Sequence, residues 1–472
     1  MTFTTLTFIV FLAIVYVAYW MLKRPGQNVL LLVASLVFYG WWDWRFISLL
    51  LLTAGLDYGV ALALARTRGP RGRRALVLVS IAANLGVLAA FKYFGFFVDS
   101  FGALCRALGW SVEPVALQIV LPVGISFYTF QALSYTIDVY RGRMAPVRDP
   151  VQYLCFISFF PQLVAGPIER AERLLPQFAA DRRFDAERSV DGLRQMLWGF
   201  FKKMVVADGL APFVNTVYSG VATESGWHLL WATYGFAFQI YCDFSGYTDI
   251  AIGCAKLFGF ELMLNFDRPY FSRSIPEFWK RWHISLSTWF RDYVYLPLGG
   301  KRVGARRWAF NILAVFGLSG LWHGANWTFV AWGLLHGVYY LASVAASRVV
   351  RRDRAEVPRT GFAELGKMAL TFNLVCLAWI FFRANSMTDA LVVLRGIAAA
   401  LGSGTFEAPP VPGPFLWAAA LFIGEWLQAR KPHALHIPDL GRPLRWAIYY
   451  AVVVSILFFA NLDRTPFIYF QF

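Results

Sequence analysis

The chain has 472 residues, 58% of them hydrophobic and only 15% charged, with a mean hydropathy of +0.52 and a net charge of +16. A soluble domain would be nearer half apolar and one quarter charged, so these values exclude an ordinary soluble fold and indicate a polytopic integral membrane protein. The positive charge is gathered in short loops between apolar runs, which fits the positive-inside rule and argues against a nucleic-acid partner.

The first apolar run, 6–22, has no basic residues before it; its first charges, Lys23 and Arg24, follow it. That is the reverse of a cleaved signal peptide, and it predicts a retained first helix with the N-terminus outside the cytoplasm. Further runs lie at 29–42, 46–64, 75–90, 312–318, 327–346, 368–382, 415–427 and 446–459. At roughly 20 residues per crossing, the chain predicts about ten to thirteen membrane segments, several of them short or charged and hence re-entrant. The ten-residue alternation of an outer-membrane barrel is missing, so the expected class is all-α. There is no internal repeat and no long soluble insert, which predicts one domain over 1–472.

Basic clusters at 23–24, 66–74, 141–148, 170–194, 202–203, 301–307, 348–354 and 430–431 read as cytoplasmic loops. The stretch 170–194 has the composition of an amphipathic helix, and 348–367 that of a charged loop. The Gly/Pro-rich stretch 402–414 reads as a loop on the opposite side. Cys105, Cys155, Cys242, Cys254 and Cys376 are scattered in or beside apolar segments without metal-ligand spacing, and read as buried free thiols.

Polar residues inside apolar surroundings concentrate between Pro122 and Asn326. The run from Pro122 to Gln131, followed by Asp138, carries helix breakers that suit either a cavity wall or a kinked, packed helix. From Phe159 to Arg170, two prolines and a glycine lead an apolar run into a charged loop. From Gln239 to Gly253 there are two carboxylates. On a helix Asp243 shares a face with Tyr247, one turn away, whereas Asp249 meets Lys256 only if the lysine reaches back two turns. These groups serve either as polar glue between helices or as supports of a catalytic group.

From Phe278 to Tyr293, aromatic residues recur at three- and four-residue steps, predicting one aromatic helix face. His283 lies beside that face with Ser287 one turn on, and Lys280, Arg281 and Arg291 are candidates to meet headgroups or an anionic donor. His323 then stands between Trp322 and Gly324 in a long apolar stretch, with Asn326 close behind. An ionisable residue at membrane depth is costly, and its default reading is functional. On one straight helix His336 would sit about 220° away from His323 and could not be its co-ligand. His283 can meet His323 from a separate helix, and no metal site is expected.

Several of these segments together resemble the membrane-bound O-acyltransferase family, in its bacterial branch of alginate O-acetylation membrane proteins. The matching residues are Phe160-Pro161-Gln162-Leu163 with Gly166-Pro167-Ile168, then Tyr241-Cys242-Asp243-Phe244-Ser245-Gly246-Tyr247. They continue with Phe278-Trp279, the stretch from Arg281 to Ser287, Trp322-His323-Gly324, and Trp379 to Ala384. The resemblance implies helices around a central funnel or tunnel, with His323 as the active-site histidine and His283 at the family's second position. It implies acyl transfer, here acetyl, from a cytoplasmic thioester (acetyl-CoA or an acyl-carrier protein) to hydroxyls of an exported, alginate-like polysaccharide. Transfer is direct or runs through an extracytoplasmic acetyltransferase partner working with polysaccharide export machinery. Peptidoglycan, another glycan or a lipid are alternative acceptors, and a flippase or a structural export subunit is the rival class. No bound cofactor is expected. His323 would be general base, His283 would orient the donor or stabilise an oxyanion, and Asp243, Ser287, Tyr247 and Asn326 would support them or line a channel. The expected location is the bacterial cytoplasmic membrane.

Overall fold

The computed structural model describes residues 1–110, 120–352, 361–461 and 467–468, with main chain alone at 348–352, and these residues are helical with no strand. They fall into two compact units, Met1–Gly192 with Ala251–Met263, and Leu193–Ile250 with Leu264–Phe472.

In the first unit the apolar runs form α1 (Leu6–Trp20), α2 (Arg24–Gly40), α3 (Arg45–Arg66), α4 (Pro70–Leu88) and α5 (Phe94–Ala107). They are followed by α6 (Ile125–Tyr140), α7 (Pro150–Ser158) and α8 (Ala171–Ala179). Helices α3, α4 and α6 pack around the buried Asp57, which accepts from Asn84 Nδ2 at 2.8 Å, Thr136 Oγ1 at 3.1 Å and Ser80 Oγ. Three neutral donors, two from α4 and one from α6, thus satisfy a carboxylate that would otherwise be costly to bury.

The two proline–glycine motifs meet in this unit. Gly124 has φ +75° at the start of α6, and a Cβ there would lie 2.8 Å from Leu163 O. Gln131 and Gln162 both donate through Nε2 to Phe156 O. Helix α6 is buried over nearly its whole length, so of the two readings of this break the packed one describes it. The basic stretch 170–194 divides into α8, which buries Leu174, Leu175 and Phe178, and the start of α9 (Ala186–Phe200).

In the second unit α9 continues through a π-helical stretch, Phe201–Ala207, into α10 (Asp208–Ser219). Next come α11 (Gly226–Leu257), whose end belongs to the first unit, and the short α12 (Ile275–Arg281) and α13 (Ile284–Phe290). The remaining helices are α14 (Ala305–His323), α15 (Trp327–Arg352), α16 (Gly361–Arg383), α17 (Met387–Gly402), α18 (Pro412–Leu427) and α19 (Arg442–Phe459). The core is aromatic, with Trp282, Trp332, Trp379, Tyr241 and Tyr270 buried in one cluster.

Five helical segments among the described residues are long and apolar enough to cross a membrane: Arg45–Arg66, Pro70–Ala107, Trp327–Ser347, Gly361–Arg383 and Arg442–Phe459. The chain is a multi-pass membrane protein. The apolar runs outnumber these spans because α1, α2 and α18 have only 15, 17 and 16 residues, and because α14, with 19, opens on Arg306 and Arg307 and is not apolar enough. All five cysteines are free and buried. The charged loop expected at 348–367 lies in part outside the described residues.

Candidate active site

The segment around His323 is a helix hairpin rather than one helix. Helix α14 ends at His323, Gly324 is extended with φ −160°, and α15 starts at Trp327. Small residues make the close crossing possible. A Cβ on Gly320 would come within 2.2 Å of Phe329 O, one on Gly333 within 2.2 Å of Phe316 O, and one on Gly324 within 2.1 Å of the Phe329 ring. Asn326 caps the returning helix, its Oδ1 accepting from Thr328 N at 3.0 Å, while its Nδ2 donates to Asn385 O at 3.2 Å. It therefore holds the turn, a more local role than lining a channel.

The hairpin corrects the geometry expected for His336. That residue belongs to α15 and His323 to α14, so the single straight helix assumed for the pair does not exist. The Trp332 ring lies 5.0 Å from His323 and 5.1 Å from His336, and Trp279 Nε1 donates to His336 Nδ1 at 3.3 Å.

The aromatic stretch from Phe278 to Tyr293 is also not one helix. Helix α12 is capped by Ser274, whose Oγ accepts from Glu277 N at 3.3 Å, and stops at Arg281. His283 follows with φ +43° and ψ +55°, a left-handed conformation that costs a non-glycine residue on the order of 1–3 kcal/mol. The irregular stretch 265–267 clamps the break from both sides. Asp267 N donates to Arg281 O at 2.9 Å, and Ile284 N donates to Asn265 O at 2.9 Å. The break turns His283 out of the helical repeat that periodicity assigned to it.

The two histidines meet. Their ring centroids are 6.2 Å apart, and the side chains are 0% and 2% exposed for His283 and His323. Aromatic rings wall both. Phe244 meets His283 edge-on at 4.8 Å, Trp322 lies 6.0 Å from His283 and 5.0 Å from His323, and Trp332 and Phe382 lie 5.0 and 5.5 Å from His323. Such contacts fix ring planes without engaging the ring nitrogens. His283 Nδ1 is 3.3 Å from Asn265 Oδ1. Ser287 stays one turn on; its N donates to His283 O at 2.9 Å and its Oγ to Trp282 O at 3.2 Å.

Asp243 and its neighbours lie in a buried charge lattice. Lys203 Nζ is 2.8 Å from Asp243 Oδ1 and 2.6 Å from Asp208 Oδ1, and Asp243 Oδ2 accepts from Ile468 N at 2.7 Å. Lys202 Nζ is 3.1 Å from Asp249 Oδ2 and 2.8 Å from Glu425 Oε1; Tyr241 OH donates to Glu425, and Gln195 Nε2 to Asp249 at 2.9 Å. Two expectations are corrected here. Lys202 and Lys203 are not a cytoplasmic loop: each is 5% exposed, in a helical stretch. Asp243 is held by Lys203 and Ile468, and Asp249 by Lys202 and Gln195; Lys256 pairs instead with Asp191 at 2.6 Å. Tyr247 packs its ring on Phe467 at 4.9 Å. The lattice needs helices in near contact, and glycines supply it: a Cβ on Gly199 would lie 2.5 Å from Gly246 O, and one on Gly246 would lie 2.7 Å from Gly199 O.

Of the basic candidates, Lys280 is exposed, Arg281 pairs with Glu277 at 2.8 Å, and Arg291 is exposed and pairs with Asp292 at 2.8 Å. Sequence reasoning missed Asn265, Asp208 and Glu425. Glu425 carried a signal, a lone acid inside the apolar run 415–427.

The model of the membrane-bound O-acyltransferase family matches residues 147–382, which contain both histidines. The chain is 40% identical to a probable alginate O-acetylase of Azotobacter vinelandii over 83% of this chain and 76% of the relative. It is 34% identical to a probable alginate O-acetylase of Pseudomonas putida over 100% of both chains. It is 35% identical to a peptidoglycan O-acetyltransferase of Helicobacter pylori over 84% of this chain and 80% of the relative.

Proposed function

We propose, from the premise that this chain belongs to the membrane-bound O-acyltransferase family and is a membrane-embedded O-acyltransferase, that it moves acetyl groups onto hydroxyls of an exported, alginate-like polysaccharide. The observation that carries the site is the pair of buried imidazoles 6.2 Å apart within aromatic walls. His323 is the general base: it takes the acceptor hydroxyl's proton as the oxygen attacks the thioester carbonyl. The tetrahedral intermediate then collapses, the carbon–sulfur bond breaks, and the imidazolium returns the proton to the leaving thiolate. Positioned proton transfer of this kind is worth roughly 10²–10⁴ in rate. His283 orients the reactants beside it.

The acceptor class is supported by the relatives named for alginate and peptidoglycan. Peptidoglycan is the second reading, favoured by the 35% identity to the Helicobacter pylori protein. Acetyl-CoA or an acyl-carrier protein supplies the thioester from the cytoplasm, and no bound cofactor is required. The chain sits in the bacterial cytoplasmic membrane with its N-terminus outside. It works with an extracytoplasmic acetyltransferase partner and the export machinery.

The test is His323→Ala in purified, folded protein in liposomes with radiolabelled acetyl-CoA, acyl-carrier protein thioester and candidate glycans. Loss of transfer by about 10²–10⁴-fold is expected. Wild-type transfer by the variant, or movement of intact glycan without acetylation, would overturn the reading.

A further inference from the structure

We infer that Asn265 is a positioning residue that fixes the tautomer of His283. The neutral imidazole then carries its hydrogen on Nδ1 and its lone pair on Nε2. This rests on the reading that His283 serves the acyl-transfer site, and it changes what His283 can do there.

One oxygen, Asn265 Oδ1, decides the tautomer. Asn265 is fully buried, and its Oδ1 receives Ser285 N at 3.3 Å and Ser285 Oγ at 2.6 Å while lying 3.3 Å from His283 Nδ1. Oxygen and nitrogen of an amide side chain are interchangeable in outline, and the hydrogen-bond pattern must decide between them. Here it does. A main-chain N–H can only donate, so the atom that receives Ser285 N is oxygen. Turning the amide over would set its NH₂ against that N–H. An amide oxygen has no hydrogen to give, so His283 Nδ1 must supply the hydrogen of their contact. A neutral imidazole has one hydrogen, which leaves the lone pair on Nε2.

The same residue holds the main chain. Asn265 O accepts from Ile284 N at 2.9 Å, immediately after the left-handed His283. Asn265 therefore sets both the backbone conformation and the ring state of His283. Among the described rings that meet it, Phe244, Phe266 and Trp322 are uncharged and His323 is titratable.

A functional consequence follows. With its lone pair at Nε2, neutral His283 accepts a hydrogen bond from a hydroxyl and cannot donate one from that nitrogen to an oxyanion. Its part is to receive or align the acceptor hydroxyl beside His323, and oxyanion stabilisation falls to other donors.

The test combines a spectroscopic and a kinetic readout. Full-length protein labelled with ¹⁵N-histidine is placed in lipid bilayers, and the His283 ring signals are identified by their loss in His283→Gln. Wild type should show protonated Nδ1 and bare Nε2. Asn265→Leu should shift the ring toward the other tautomer and lower kcat about 10²-fold, with KM within about threefold. Asn265→Asp keeps an acceptor oxygen, so it should retain protonated Nδ1 and recover activity to within about tenfold of wild type. A wild-type spectrum with protonated Nε2 would overturn the proposal, as would Asn265→Leu with unchanged spectrum and kcat. Should Asn265→Leu not fold, the wild-type and Asn265→Asp spectra decide. Full activity of His283→Gln would instead overturn the role of His283 in transfer, whatever its tautomer.

Discussion

The second unit buries two polar regions of opposite design. In the lattice, two lysines hold four carboxylates, Lys203 with Asp208 and Asp243, and Lys202 with Asp249 and Glu425. In the histidine pair, two rings sit within aromatic walls, steered by edge-to-face contacts and, for His283, by an amide oxygen. The lattice answers every lysine with carboxylates and so tolerates burial, which suits it to holding helices in register. The pair leaves rings that can accept and return protons close together, which suits it to chemistry. On the proposed reading the charged lattice is scaffold, so charge alone is a poor guide to the candidate site.

That contrast can be broken. The largest effect expected is on turnover: His323→Ala should cost about 10²–10⁴-fold in transfer with little change in melting temperature in detergent. Lys203→Met should do the reverse. It leaves Asp208 and Asp243 buried without their cation, and removing one partner of a buried pair costs about 3–5 kcal/mol. Thermal unfolding in detergent should show that loss, and pairing the change with Asp208→Asn and Asp243→Asn should restore much of it. A Lys203→Met protein that is fully stable but inactive would erase the distinction between scaffold and site.

Gly320→Val tests whether the hairpin crossing sets the site. Its side chain would drive into Phe329 O, and overpacking of this kind typically costs about 1–3 kcal/mol. Stability and transfer should fall together; transfer untouched would mean that His323 does not depend on the close approach of α14 and α15. The smallest effect is expected of Asn326→Ala, where loss of the α15 cap costs about 0.5–2 kcal/mol. Its KM should stay near wild type, and a large KM rise would return Asn326 to the substrate path.

The ordered motifs, the apolar runs and the two histidines were legible in the sequence because they are local or rely on residue type. Other features were hidden for specific reasons. Lys202 and Lys203 look like any basic loop until the carboxylates that meet them arrive from as far away as Glu425. The aromatic repeat from Phe278 to Tyr293 reads as one helix because periodicity assumes continuous φ and ψ, whereas His283 interrupts it at φ +43°. The assumption that His323 and His336 share one helix failed for the same reason, at the extended Gly324.

By itself the sequence determined the class of protein, since burying this much apolar side chain in lipid permits only internally hydrogen-bonded helices. It also marked the candidate residues for the proposed chemistry. Only the tertiary structure decided which of them touch. Asn265 commands His283 through a single oxygen, and His283 reaches His323 across two helix breaks. Those contacts depend on backbone turns and on glycines that let helices nearly collide, and neither leaves a periodic trace in the chain.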